Sequence, residues 1–145
     1  MIKAPRKSGA LKLKGNTMET GIKGYAETIV EYENTAAKVG SGLLEVFSTP
    51  SMIGLMENAA QSSVQPYLEE GQGTVGMRME VDHLAPTPIG VKVWAETELI
   101  EIDRKVLTFK VSAYTDVEKI GEGIHKRCII ATERFLGKMQ SKYGE

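Results

Sequence analysis

Three side chains in this sequence have the types needed for acyl-transfer chemistry: the hydroxyl of Thr49, the carboxylate of Glu57 and the imidazole of His83. Thr49 and Glu57 fall in residues 46–60, which read Val-Phe-Ser-Thr-Pro-Ser-Met-Ile-Gly-Leu-Met-Glu-Asn-Ala-Ala. His83 falls in residues 81–90, Val-Asp-His-Leu-Ala-Pro-Thr-Pro-Ile-Gly. Each stretch sets a polar or ionisable group among apolar neighbours, where an unpaired charge is costly. Brought together, such a trio can activate water or a nucleophile and move a proton at the reacting centre.

Each of the three also has a plainer reading. Glu57 shares a helical stripe with Ile53, Ala60 and Val64. It is either a carboxylate at the margin of that stripe reaching solvent, or a functional one. His83 follows Val75, Met77, Met79 and Val81 in parity, so a regular strand would project it from the apolar face. It is either a hydrogen-bonded strand-end residue or part of a site, since Pro86 and Pro88 stop the strand and loops there often carry function. Thr49 before Pro50 suits a helix cap. The same helix start, however, presents free amides to a developing oxyanion.

Other features carry less. Residues 121–127, Gly-Glu-Gly-Ile-His-Lys-Arg, lack the spacing and the Lys-Ser/Thr ending of a phosphate loop. Arg127 could bind an anionic ligand or form a surface ion pair. Asp82 and Asp103 do not make metal-ligand spacing with either histidine, and no metal or redox cofactor is called for. Cys128, between apolar residues, reads as inert filling.

The elements that must position these groups follow from periodicity. Residues 24–32 read as a first strand, residues 36–42 as a loop. A helix starts at Ser48 or Thr49, with Pro50 in its first turn. Met52, Ile53, Met56, Ala59, Ala60, Val64 and Tyr67 share its apolar arc, and it is predicted to end near Glu70. Four strands follow, at residues 74–83, 89–102, 106–114 and 119–135, the last interrupted at Gly121 and Gly123. Residues 103–105 and 116–118 are predicted hairpin turns. Wrapping this antiparallel sheet around the helix gives an α+β domain. The exposed edges that remain invite a two-fold dimer.

At 145 residues the chain fits one domain, and its net charge of −1 gives no global attraction to nucleic acid or to anionic membranes. A single cysteine excludes an internal disulfide. No run reaches the roughly 20 apolar residues of a membrane span, and no apolar secretory stretch opens the chain. These point to a cytoplasmic protein. Residues 1–23 read as a basic, flexible arm, residues 24–139 as the domain and residues 140–145 as a tail. The arm lacks aromatic residues for stacking on bases, which disfavours a nucleic-acid role.

The order of elements, with Glu57 on the central helix, resembles the hotdog-fold thioesterases, and within them the fluoroacetyl-CoA thioesterase family. The resemblance covers roughly residues 25–139. Its most specific pieces are residues 46–49, 54–57, 83–88 and 120–127. It implies a dimer whose sheets join side by side, with an active site at each interface, and leaves room for pairing of dimers. It places Thr49, Glu57 and His83 at the family's three catalytic positions, and Gly76 and Arg127 at positions that bind the acyl thioester. Members specialised for the fluorinated substrate have aromatic residues in a lid before the Val-Phe motif. Residues 35–44 here have none. The implied activity is hydrolysis of a short-chain acyl-CoA to free acid and CoA. A hotdog hydratase or dehydratase, or an acyl-CoA-binding regulatory module, would suit the same fold.

Overall fold

The computed structural model describes residues 11–13 and 16–144, with side chains from Thr17 onward. A small hairpin, β1 (Leu11–Leu13) and β2 (Asn16–Met18), precedes β3 (Lys23–Ile29). The sequence boundary at residue 23 falls too late. Met18 is fully buried in the core and Ile22 packs against it, while the Gly21 amide donates to the Leu99 carbonyl at 2.8 Å. The remainder of the expected arm, residues 1–10, 14 and 15, lies outside the described residues.

Residues 36–42, expected as a loop, begin instead with a single helical turn, α1 (Ala36–Val39). The Thr35 hydroxyl caps it by accepting from the Lys38 amide, and Gly40 closes it at φ +91°. The central helix, α2 (Thr49–Val64), buries Met52, Met56, Ala59, Ala60 and Val64 along one face. It ends before the expected Glu70. Pro66 has no amide for the ladder and its ring clashes with the preceding turn, so the chain passes into a tight turn at Gln65–Tyr67.

Four strands follow: β4 (Gln72–His83), β5 (Lys92–Asp103), β6 (Val106–Tyr114) and β7 (Lys119–Ala131). With β3 they form one antiparallel sheet in the order β3-β5-β6-β7-β4, and α2 packs against all five. Leu107, Phe109, Val111 and Ala113 of β6 all face the helix and are fully buried. β7 is continuous through Gly121. A Cβ there would lie 2.5 Å from the Met52 sulfur, so the bare residue lets the helix approach the sheet. The strand predicted to reach residue 135 stops at Ala131. A third helix, α3 (Thr132–Tyr143), takes the place of its end and of most of the tail.

Candidate active site

Residues 46–48 are clamped from two sides, and this clamp sets the start of α2. The Phe47 amide donates to the Thr87 carbonyl at 2.9 Å, and the Ser48 amide to the Asn34 carbonyl at 3.0 Å. Phe47 itself is buried. Ser48, not Thr49, is the cap: its hydroxyl accepts from the Ser51 amide at 3.1 Å. That leaves the Thr49 hydroxyl exposed at the helix mouth and free for another partner.

The partner is His83. Thr49 Oγ1 and His83 Nδ1 lie 2.7 Å apart, because the last residue of β4 is held against β7 at Gly121 and the chain continues with the Leu84 amide on the Ile120 carbonyl at 2.7 Å. Burial lowers the His83 pKa from the ordinary imidazole value, favouring the neutral ring. A neutral ring can accept the Thr49 proton at Nδ1. His83 Nε2 is buried and has no hydrogen-bond partner among the described residues. The two side chains open on a cleft of about 320 Å³ lined also by Phe47, Leu84 and Pro86.

Glu57 is elsewhere. Eight residues along α2 from Thr49, it is displaced by about 12 Å of helix rise. It lines a separate recess of about 300 Å³ with Gly54, Asn58, Gln61, Gly76 and Arg127. Half-buried, it sets its carboxylate beside Gly76 and lines no cleft with His83. The single chain thus brings Thr49 to His83, and Glu57 to Gly76 and Arg127, but does not unite the two groups.

A bulge in β4 creates the second group. Gly76 pairs with Arg127 and Arg78 with Lys126, so Met77 is extra and is extruded, 56% exposed. The expected face of Val75, Met77, Met79 and Val81 is therefore broken. Met79 and Val81 pack on the core, while Gly76 occupies the helix-facing place before the bulge. A Cβ at Gly76 would lie 2.9 Å from Glu57 Oε2 and 3.5 Å from Arg127 Nη1.

Arg127 is buried, not paired on the surface. Its Nε donates to Thr74 Oγ1 at 2.8 Å and its Nη2 to the Thr74 carbonyl at 3.0 Å. Burial pulls its pKa down, and the negative charge of Glu57 opposes that shift. Nη1 lies 3.1 Å from Nε2 of His125, a residue that the sequence motifs did not single out for a role. The available signal was its parity with Arg127 on one strand, two residues apart. Cys128 is half-buried on the opposite parity. Among the described residues no three His, Cys, Asp or Glu side chains converge on a metal position, and no helix is long and apolar enough to cross a membrane.

A five-stranded antiparallel sheet curled around one long helix is a hotdog fold. A hot-dog-like protein from Thermanaerovibrio acidaminovorans shares it with a TM-score of 0.79 at 22% identity, over 87% of this chain and 93% of that one. Residues 30–133 match the fluoroacetyl-CoA-specific thioesterase family. The fluoroacetyl-CoA thioesterase of Streptantibioticus cattleyicolor is 42% identical over 98 residues, 68% of this chain and 70% of that protein. A solved fluoroacetyl-CoA thioesterase superposes with a TM-score of 0.82 at 34% identity, covering 86% of this chain and 97% of that one. The chain belongs to the fluoroacetyl-CoA-specific thioesterase family.

Proposed function

We propose that Thr49, Glu57 and His83 form one hydrolytic site, assembled across a two-fold dimer from the Thr49–His83 cleft and the Glu57 recess. The chain is an acyl-CoA thioester hydrolase, as its family membership and 42% identity to a fluoroacetyl-CoA thioesterase indicate. The substrate we infer is a short-chain acyl-CoA, cleaved to free acid and CoA in the cytoplasm. The stretch before the Val-Phe motif, with Leu43 94% exposed and no aromatic residue, supplies no aromatic lid for a fluorinated group.

The observation that carries the composite site is the position of the two clefts along one sheet edge, the Glu57 recess at Gly76 within β4 and the Thr49–His83 cleft at its end. Among the described residues β4 is hydrogen-bonded to β7 alone. An open edge is a template for a second copy. If two copies of β4 pair antiparallel about the midpoint between Gly76 and His83, each Gly76 stands opposite the partner's His83. Glu57, beside Gly76, then reaches the partner subunit's Thr49–His83 cleft. In that site Glu57 activates water as general base or attacks the thioester carbonyl. His83, neutral and bonded to Thr49, orients the hydroxyl and passes a proton. Thr49 holds water or substrate, or acts as a transient nucleophile. Arg127 and the Gly76 backbone receive the thioester carbonyl as charge grows on its oxygen.

The test is thiol release from a panel of acyl-CoA esters, run beside sedimentation of the free protein. Turnover of short acyl chains by a dimer is expected. A monomer with full activity would contradict the composite site, and binding without thiol release would point to a regulatory module.

A further inference from the structure

We propose that His125 is a positioning residue for acyl-CoA binding, locked in one neutral tautomer that fixes the Arg127 guanidinium in the recess beside Gly76. This rests on the reading that Arg127 contacts the acyl thioester.

The hydrogen-bond inventory determines the tautomer. A guanidinium only donates, so the Arg127 Nη1–His125 Nε2 contact at 3.1 Å requires a bare lone pair on Nε2. The proton therefore sits on Nδ1, which donates to the Arg78 carbonyl at 2.9 Å. That carbonyl belongs to the first residue after the β4 bulge. The ring is 1% exposed and stacked on Phe109, with centroids 6.1 Å apart, so its plane is fixed by packing as well as by bonding. A second ring proton would set N–H against N–H at Arg127.

The consequence lies in the donors left over. Of the five guanidinium N–H groups, one goes to the Thr74 hydroxyl, one to the Thr74 carbonyl and one to His125. One N–H on each terminal nitrogen remains for a ligand in the recess that Glu57 and Gly76 also line. Thr74 alone would hold the guanidinium from one side. His125 holds it from the other and ties it to the bulge that brings Gly76 there.

Two measurements test this. A long-range 1H–15N spectrum of the unmodified protein reads the tautomer directly. Protonated Nδ1 with bare Nε2 is expected, and a protonated Nε2 would overturn the proposal. Steady-state kinetics on acetyl-CoA, with calorimetric binding of a non-hydrolysable ketone analogue of acetyl-CoA, then compare H125N, H125Q, R127K and H125N/R127K. Asn can still reach the Arg78 carbonyl but removes the acceptor for Arg127, so kcat/KM falls and the analogue Kd rises, each about tenfold, because the misplaced guanidinium no longer meets the carbonyl. Gln places an oxygen near Nε2 and recovers most of that loss. In the R127K background, H125N adds nothing. Equal effects of Asn and Gln, or full additivity with R127K, would reduce His125 to core filling. Absence of thiol release from the unmodified protein would instead defeat the hydrolase reading, leaving the tautomer and analogue-binding arms to decide on His125.

Discussion

The two clefts along β4 are built on opposite plans. At the His83 end, a single 2.7 Å contact joins an exposed hydroxyl to a ring whose second nitrogen has no partner among the described residues. At Gly76, Arg127 is held by three hydrogen bonds and buried. A proton must move at the first, so its groups keep spare valence. Charge must be stabilised at the second, so its donors are fixed before substrate arrives, which spares reorganisation in the transition state. The difference assigns the Thr49–His83 proton relay to one half-site, and Glu57 with the carbonyl-binding donors to the other.

That division of labour can be broken from either side. The largest effect is expected from Glu57→Ala, which removes the base or nucleophile: kcat should fall about a thousandfold with the circular dichroism spectrum unchanged. Near-normal thiol release would remove Glu57 from the mechanism. His83→Ala should lower kcat about a hundredfold, and Thr49→Val by a similar amount, while Thr49→Ser, which keeps the hydroxyl, stays within about threefold. Gly76→Ala acts on the other half-site. Its methyl would stand 2.9 Å from Glu57 Oε2, and a loss of about tenfold in kcat/KM with little change in the acid limb of the pH profile is expected.

The acid limb itself sharpens the comparison. Burial lowers the folded pKa of both His83 and His125 below 6.5. The unfolded chain therefore binds more protons than the folded one as pH falls below that value. The corresponding stability is present above pH 6.5 and lost progressively on acidification, through the lower folded values. Activity carried by neutral His83 should likewise be lost on acidification, as an acid limb in kcat/KM that His83→Ala abolishes; a limb unchanged in that variant would belong to another group. The smallest effect belongs to the far edge of the sheet. Lys92 pairs with Glu27 at 3.3 Å in solvent, where ion pairs contribute little. Lys92→Ala should leave both turnover and melting temperature unchanged.

Much of this architecture was legible in the residues. The apolar arc of α2, the bounds of β6, and His83 at a strand end facing the core all follow from periodicity. The misses have physical causes. The β4 bulge is hidden because Val75, Met77, Met79 and Val81 imitate unbroken alternation; the bond between the Arg78 carbonyl and His125 reveals the slip. α3 was spelled at helical spacing by Phe135, Leu136, Met139 and Tyr143, but those residues remain exposed and its first residue follows Ala131 with no side-chain cap. The end of α2 was set by Pro66, a local rule outweighed by the apolar arc running on to Tyr67. Of the candidate site, the residue types were readable and their division into two clefts was not, since parity fixes a face but not which end of a strand meets which end of a helix.

The composite site can be tested by mixing two dead variants. Glu57→Ala subunits keep an intact Thr49–His83 cleft, and His83→Ala subunits keep an intact Glu57 recess. After denaturation and refolding together in equal amounts, half the dimers are mixed, and each mixed dimer holds one complete site, so about a quarter of wild-type activity should return. If the mixture stays as inactive as either variant alone while mixed dimers form, each catalytic centre lies within one chain and no site is shared between subunits.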